Sequence, residues 1–357
     1  MKKNEKTAEL QETADDRNGS LLRIENLEVE FHTVEGIHKA VRKVSYEVKM
    51  GETLGVVGES GSGKSVTALS VMQLIQSPPG KIMGGKILFE EKDLLSLSKE
   101  EMNHIRGNEI AMIFQEPMTS LNPIHTCGKQ IMEPLILHKG YSKSEAYEKA
   151  LQMMGQVGIP IPRQRMKEYP HQLSGGMRQR VMIAMALVCK PKLLIADEPT
   201  TALDVTIQAQ ILELMKILRK EMNSSIIMIT HDLGVVAEMC DRVVVMYDGQ
   251  IVEVCKVSDL FRHPYHPYSE GLICSIPSIG GTRRKLYAIK GTVPSPYEEK
   301  TGCSFAPRCQ YAKDICRRQC PEMTDLGNGR LVRCWNYRET GNLMETAKES
   351  PEGRGKA

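Results

Sequence analysis

The chain has 357 residues, 25% of them charged and 41% apolar, with a formal net charge of +3. That length predicts roughly two domains, or one large domain with an appendage, and the composition excludes collagen-like, coiled-coil, disulfide-scaffold and wholly disordered classes. No apolar run approaches the ~18 residues of a membrane span, and a charge balance near neutrality gives no support to nucleic-acid binding.

Residues 1–20 are polar and mixed in charge, and they read as a disordered tail. Polar Gln11–Asn18 stands where a signal peptide needs an apolar segment, so the chain is expected in the cytosol. Short β-like runs follow at Leu22–Phe31, Ala40–Val48 and Thr53–Val57, the last two separated by a turn at Gly51-Glu52. A helix is predicted from about Gly63 to Ile75, stopped by Ser77-Pro-Pro-Gly80. Residues 98–190 read as mostly helical, with helical spacing clearest in Ser142–Met154. From Lys192 strands and helices alternate: Leu193–Ala196, Ile207–Arg219, Ile226–Thr230 and Val243–Met246. That alternation predicts a parallel sheet with crossover helices. After His263 the chain turns irregular and rich in Pro, Gly and Cys, and it is expected to pack apart from the rest.

The chemistry begins at Gly58-Glu-Ser-Gly-Ser-Gly63-Lys64-Ser65, a complete G-x4-G-K-[ST] loop with an apolar strand entering it and a helix leaving it. Glycines let several backbone N–H groups point at one phosphate, and the helix N-terminus adds positive potential. Lys64 is expected to reach the β- and γ-phosphates of a nucleotide, and Ser65 to ligate Mg²⁺. A chance match in a glycine-rich turn would lack the flanking strand and helix. Lys192-Leu-Leu-Ile-Ala-Asp197-Glu198 describes a buried parallel strand ending in two acids at the ligand-binding edge of a sheet. Asp197 there suits Mg²⁺, and Glu198 suits polarisation of an attacking water.

Four further segments carry a family resemblance. Leu173-Ser174-Gly175-Gly176-Met177-Arg178-Gln179 resembles the signature of ATP-binding cassette (ABC) proteins, and Gln115 in Phe-Gln-Glu-Pro resembles their Q-loop. Ala202-Leu203-Asp204 resembles the D-loop, and His231 in Thr-His-Asp the switch histidine. The elements stand in family order across residues 21–262. The resemblance implies an α/β fold: a P-loop, RecA-like core with an antiparallel β subdomain and a helical subdomain at about 117–188. It also implies ATP held by Gly58, Ser60, Gly61, Gly63, Lys64, Ser65, Val66 and Gln115, with Mg²⁺ on Ser65, Gln115 and Asp197. Glu198, His231 and Lys64 become the catalytic set. Ser174, Gly175 and Gly176 would contact ATP bound to a partner subunit, with Asp204 nearby. Phe31 stands where relatives place an aromatic on adenine; an ordinary strand apolar residue fits that position nearly as well.

Two function classes compete, a transport motor and a soluble cassette acting on nucleic acid. The second class carries paired cassettes, coiled-coil arms or inserted zinc modules, and this chain has one cassette with too few residues between Gln115 and Ser174 for such an arm. Gln115-Glu-Pro-Met-Thr-Ser-Leu-Asn-Pro123, Phe261-Arg-His-Pro-Tyr-His-Pro-Tyr268 and Gly302-Cys-Ser-Phe-Ala-Pro-Arg-Cys309 resemble dipeptide and oligopeptide permease ATPases, with nickel permeases close by. That resemblance covers about residues 21–338 and implies a C-terminal extension at 263–338, before a polar tail at 339–357. It implies a translocase ATPase importing peptides, or alternatively nickel or another small solute, from the cytoplasmic face of the cell membrane. The implied partners are a second homologous ATPase subunit in a heterodimer, two transmembrane permease subunits and an external solute-binding protein, with no nucleic acid.

Of ten cysteines, Cys127, Cys189, Cys240, Cys255 and Cys274 are scattered and read as small buried hydrophobes. Cys303, Cys309, Cys316, Cys320 and Cys334 crowd together near the end. Spacings of x5, x6 and x17 among Cys303, Cys309, Cys316 and Cys334 are looser than ordinary zinc knuckles. The permease resemblance implies a [4Fe–4S] cluster on those four; zinc and an unliganded loop are the alternatives, and Cys320 could replace Cys316.

Overall fold

The computed structural model describes residues 19–115, 120–201, 204–276, 288–295, 297–298 and 301–338. Most of both expected tails, residues 116–119 of the Q-loop segment, and Ala202 and Leu203 of the D-loop lie outside these.

Two sheets carry the fold. Strands β1 (Ser20–Thr33) and β2 (Gly36–Lys49) form an antiparallel hairpin running from the Ser20–Lys49 pair to the Thr33–Gly36 pair. The chain then enters the second sheet as β3 (Thr53–Val57) and returns to the first as β4 (Gly80–Phe89) and β5 (Lys92–Asp93), giving the order β2-β1-β4-β5. The second sheet takes in β6 (Ile110–Ile113), β7 (Leu193–Asp197), β8 (Ser225–Thr230), β9 (Arg242–Tyr247), β10 (Gln250–Lys256), β11 (Thr324–Asp325) and β12 (Leu331–Val332). Its order is β11-β12-β10-β9-β3-β8-β7-β6, parallel from β9 through β6. β3, β7 and β8 are buried along their whole length, the mark of a parallel sheet covered on both faces.

One apolar core lies between the two sheets, where Leu22, Val29 and Ile87 meet Leu54, Ile195 and Ile229. A second core joins the other face to a helical layer built from Cys127–Lys139, Lys143–Gln156 and Gly175–Leu187. The sequence announces these helices at their starts: Thr126, Ser142 and Ser174 each accept a backbone N–H of the first turn.

Three sequence expectations change. The helical stretch 98–190 contains β6, whose four buried apolar residues are too few for periodicity to separate strand from helix. The helix after the phosphate loop is shorter than expected, Lys64–Val71. The C-terminal segment does not pack apart. Strands β11 and β12 extend the central sheet, with Val332 paired to Glu253 of β10. Tyr268 and Phe305 share a third core with Val57, Val245 and Tyr247.

Candidate functional site

The parallel strands end on one edge of the central sheet, and the residues expected to do chemistry gather there. β3 runs into Gly58, β6 is followed by Gln115, β7 ends on Asp197 and β8 is followed by His231. Carboxyl edges of parallel sheets are where such folds bind ligands.

The phosphate loop needs glycine for space. A Cβ on Gly58 would come within 2.1 Å of the Met246 carbonyl oxygen, and one on Gly63 within 2.5 Å of the Ala40 carbonyl oxygen. Gly63, at φ 96, caps the helix Lys64–Val71 without any side-chain bond to its first turn, so those N–H groups remain donors for an anion. Ser60 and Gly61 are exposed at the loop tip, while Val66 packs on the inter-sheet core. Lys64 Nζ donates to the carbonyls of Gly58 (2.7 Å) and Glu59 (2.9 Å). Burial lowers its pKa, against the opposing pull of the Glu198, Asp197 and Glu59 carboxylates.

Ser65 Oγ donates to Asp197 Oδ1 at 3.1 Å. Burial raises the Asp197 pKa, and the Ser65 bond offsets part of that rise. A hydroxyl and a carboxylate oxygen side by side are hard donors of the kind Mg²⁺ takes, so this pair fits that ion. Glu198 has left-handed backbone at φ 47, which costs a non-glycine residue about 1 kcal/mol or more; its N–H is held by the Ile229 carbonyl at 2.9 Å. Its carboxylate accepts from Gln115 Nε2 (3.0 Å) and Thr201 Oγ1 (2.9 Å) and lies 3.3 Å from His231 Nδ1. Burial pushes its pKa up, but the Thr201 and His231 bonds and the Lys64 charge outweigh burial and hold it below the ordinary value. An ionised, oriented carboxylate of this kind can accept a proton from water. Thr201 went unnoticed in the sequence, because a threonine three residues beyond an acid carries no signal.

The structure therefore joins Lys64, Ser65, Gln115, Asp197, Glu198 and His231. It does not bring the signature to them. Ser174 caps the helix Gly175–Leu187, Gly176 lies against Ile207, and Asp204 caps the helix Val205–Met222. Among the described residues, no hydrogen bond or ion pair links Ser174, Gly175, Gly176 or Asp204 to Gly58–Ser65. The signature helix reaches the site indirectly, through a Gln179 side-chain bond to the Pro199 carbonyl. Phe31 sits on β1 opposite His38, with the two rings 6.2 Å apart, and its partly buried side chain packs on the inter-sheet core. His38 lies two residues before Ala40, which abuts the phosphate loop.

Far from this edge in sequence, Cys303, Cys309, Cys316 and Cys334 line one small cavity with Phe305 and Trp335. Burial pushes the Cys303 and Cys309 thiols up to about 11 and Cys334 up to about 12, and neighbouring thiols of the set add to each. Cys320 is not among the cavity-lining residues, its Sγ bonding Gln250 Oε1 and the Pro321 carbonyl, but it stands near enough to Cys303 to add to the rise of that thiol's pKa. Among the described residues, no three His, Cys, Asp or Glu side chains come close enough to hold a single metal ion. Neither the [4Fe–4S] nor the zinc expectation thus finds a metal-binding group among these residues.

Residues 41–201 match the family profile "ABC transporter", and residues 252–316 match "Oligopeptide/dipeptide transporter, C-terminal region". The chain is 57% identical over 322 residues to the oligopeptide transport ATP-binding protein AppD of Bacillus subtilis, covering 90% of this chain and 98% of that one. It is 51% identical to OppD of Haemophilus influenzae (90% and 99% covered) and 49% identical to the dipeptide transport protein DppD of Escherichia coli (88% and 96%). A solved dimeric ATP-binding cassette in a post-hydrolysis state, bound to ADP and Pi, resembles it with TM-score 0.60 at 29% identity, over 66% of this chain and 98% of that one. No helix among the described residues is long and apolar enough to cross a membrane. None of these descriptions mentions iron, sulfur or zinc. With likeness running through both the nucleotide-site sheet and the thiol-bearing extension, the chain belongs to the ABC transporter family of ATPases, among the oligopeptide and dipeptide transport ATP-binding proteins.

Proposed function

We propose that this chain is the motor of an importer, hydrolysing ATP to drive uptake of di- or oligopeptides through partner membrane subunits. The observation that carries the reading is the convergence of Lys64, Ser65, Gln115, Asp197, Glu198 and His231 on one sheet edge. Peptide as the solute is taken from the names of the relatives. Lys64 exchanges its carbonyl partners for phosphate oxygens, cradled by the loop N–H groups. Ser65, Asp197 and Gln115 would hold Mg²⁺, which neutralises phosphate charge. Glu198 accepts the proton of the attacking water, while His231 orients that carboxylate and faces the γ-phosphate. Phe31 stacks on adenine.

Ser174, Gly175, Gly176 and Asp204 serve nucleotide bound to a second subunit, so a complete site needs a dimer. We assign that partner as a homologous ATPase in a heterodimer. Two permease subunits complete the importer at the cytoplasmic face of the cell membrane, fed by an external solute-binding protein. Residues 21–262 form the cassette in this reading, with the helical layer at about 117–188, and 263–338 form the extension. Reconstitution with two permease subunits and the binding protein is expected to give ATP-dependent peptide uptake. ATP turnover that no peptide stimulates, with no uptake, would overturn the peptide assignment.

The thiol cavity belongs to the same proposal. Four cysteines line one small cavity, and four thiolates are what a [4Fe–4S] cluster needs, which is the ground on which we assign that cluster here. Its role is structural. The raised thiol pKa values mean that binding must release protons, coupling it to pH and to folding. Anaerobically purified protein is expected to be brown, with about four iron and four sulfide per chain. Cys303→Ser, Cys309→Ser and Cys334→Ser should bleach it, and Cys316→Ser should do so unless Cys320 moves in. Colourless protein with one tightly held zinc overturns the cluster.

A further inference from the structure

Glu59 is the first residue after Gly58 in the phosphate loop, and it is gripped from beyond the cassette. Its carboxylate accepts two bonds from the Arg308 guanidinium, Nη1 to Oε2 at 2.7 Å and Nη2 to Oε1 at 3.1 Å. Its backbone N–H donates to the Tyr268 hydroxyl at 2.8 Å, and its carbonyl accepts from Lys64 Nζ. The loop residue beside the phosphate-binding lysine is therefore fixed at both its side chain and its main chain by residues 209 and 249 positions away.

Arg308 is itself held. Its side chain is 6% exposed. Nε donates to the Lys290 carbonyl at 3.1 Å, Nη1 reaches the Tyr247 hydroxyl at 3.3 Å, and the guanidinium lies beside the Phe305 and Tyr247 rings. Bidentate arginine–carboxylate pairs are strong and set geometry as well as charge. Without this one, a carboxylate would stand unneutralised in the loop that receives the most highly charged part of ATP.

We propose that Arg308 is a positioning residue of the nucleotide site, holding and neutralising Glu59 so that the phosphate loop does not oppose the phosphates it binds. This rests on the reading of Gly58–Ser65 as the ATP loop. Phe305, packed beside Arg308, also lines the thiol cavity, so one short stretch faces both that cavity and the loop.

The test is equilibrium titration of the full-length protein with a fluorescent ATP analogue and Mg²⁺ at low salt, alongside KM and kcat in the assembled transporter. Arg308→Met is expected to weaken nucleotide binding about tenfold and raise KM without a matching fall in kcat, a loss that shrinks with added salt. Glu59→Gln removes the opposing charge and should bind as well as wild type or better. The double variant should return to within about twofold of wild type, a rescue that a merely structural defect would not show. Unchanged binding by Arg308→Met, or no recovery in the double variant, overturns the inference. Should Arg308→Met not fold, Glu59→Gln decides alone: binding weakened more than about threefold sinks the charge argument. Lys64→Ala separates the two readings. If it binds ATP like wild type, the loop assignment fails and takes the inference with it; if it loses binding, the Arg308 arms judge the inference alone.

Discussion

The carboxyl edge of the central sheet and the C-terminal extension are both dense in polar groups, but they are assembled by different means. At the edge, Gln115, Asp197, Glu198 and His231 each sit within two residues of a parallel strand's end, so their positions are inherited from backbone ladders. Lys64 and Ser65 open the helix that the loop after β3 leads into. The extension has two short helices, Pro267–Cys274 and Asp314–Arg318, and two-residue strands. It takes its rigidity from arginines that cross between it and the core. Arg42 reaches Ser304 Oγ at 2.7 Å, Arg330 reaches the fully buried Glu253 at 3.3 Å, and Arg333 Nε donates to the Ile251 carbonyl at 3.0 Å. Where secondary structure is scarce, guanidinium forks do its work. Chemistry at the edge should therefore be separable from fold stability, and in the extension the two should fail together.

The largest effect should come from Glu198→Gln, which breaks chemistry without breaking structure. Gln keeps the size and one acceptor for Thr201 while removing the base. Hydrolysis in the assembled transporter is expected to fall about a thousandfold, with ATP binding and melting temperature near wild type. Turnover at the wild-type rate would remove Glu198 from the reaction; a collapsed melting temperature would erase the contrast with the extension.

That contrast also governs what could be read from the sequence. The phosphate loop, the Asp197-Glu198 pair and His231 were legible because each is a local pattern, an apolar run followed by chemistry. β4 was not, since Gly84-Gly85 interrupts its alternation, and neither was β6, embedded in a helical stretch. The extension reads from the sequence as packed apart for a related reason. Its ties to the core run between single residues far apart, such as Arg308 and Glu59 at 249 positions, and no window of sequence holds both partners. Four of the five clustered cysteines could be named, but the choice between Cys316 and Cys320 depends on which thiol faces the cavity, a matter of packing.

Arg330→Met tests the extension's half of the comparison. It removes the charge and leaves Glu253, wholly buried, with the N–H groups of Tyr265 and His266 at 2.9 Å. Breaking a buried pair from one side costs about 3 kcal/mol, measurable as a lower urea midpoint. Burial already raises the Glu253 pKa above its ordinary value. A raised carboxyl contributes its stability below the unfolded pKa and loses it as pH rises through the folded one. The variant's deficit should therefore be larger at pH 8 than at pH 5, and Glu253→Gln in the same background should recover much of it. A pH-independent deficit would assign the loss to packing over the Tyr265 ring, 3.6 Å away, instead of charge.

The smallest effect belongs to the helical layer, where a capping box closes the start of Lys143–Gln156. The Ser142 N–H and Oγ donate to Glu145 Oε2 at 2.9 and 2.7 Å, and the Glu145 N–H donates to Ser142 Oγ at 3.3 Å. The Ser142 hydroxyl and then its backbone N–H hold the Glu145 pKa below its ordinary value. A lowered carboxyl contributes fully above the unfolded pKa and loses that contribution as pH falls through the folded one. Ser142→Ala is expected to cost about 1 kcal/mol at neutral pH, seen as faster amide exchange in the first turns of this helix while β3 and β7 amides hold. Toward pH 3 the difference from wild type should narrow, because protonated Glu145 no longer supports the cap. Glu145→Gln should flatten the pH response. A deficit that stays constant from pH 7 to pH 3 would show that the serine caps this helix without help from the ionised glutamate.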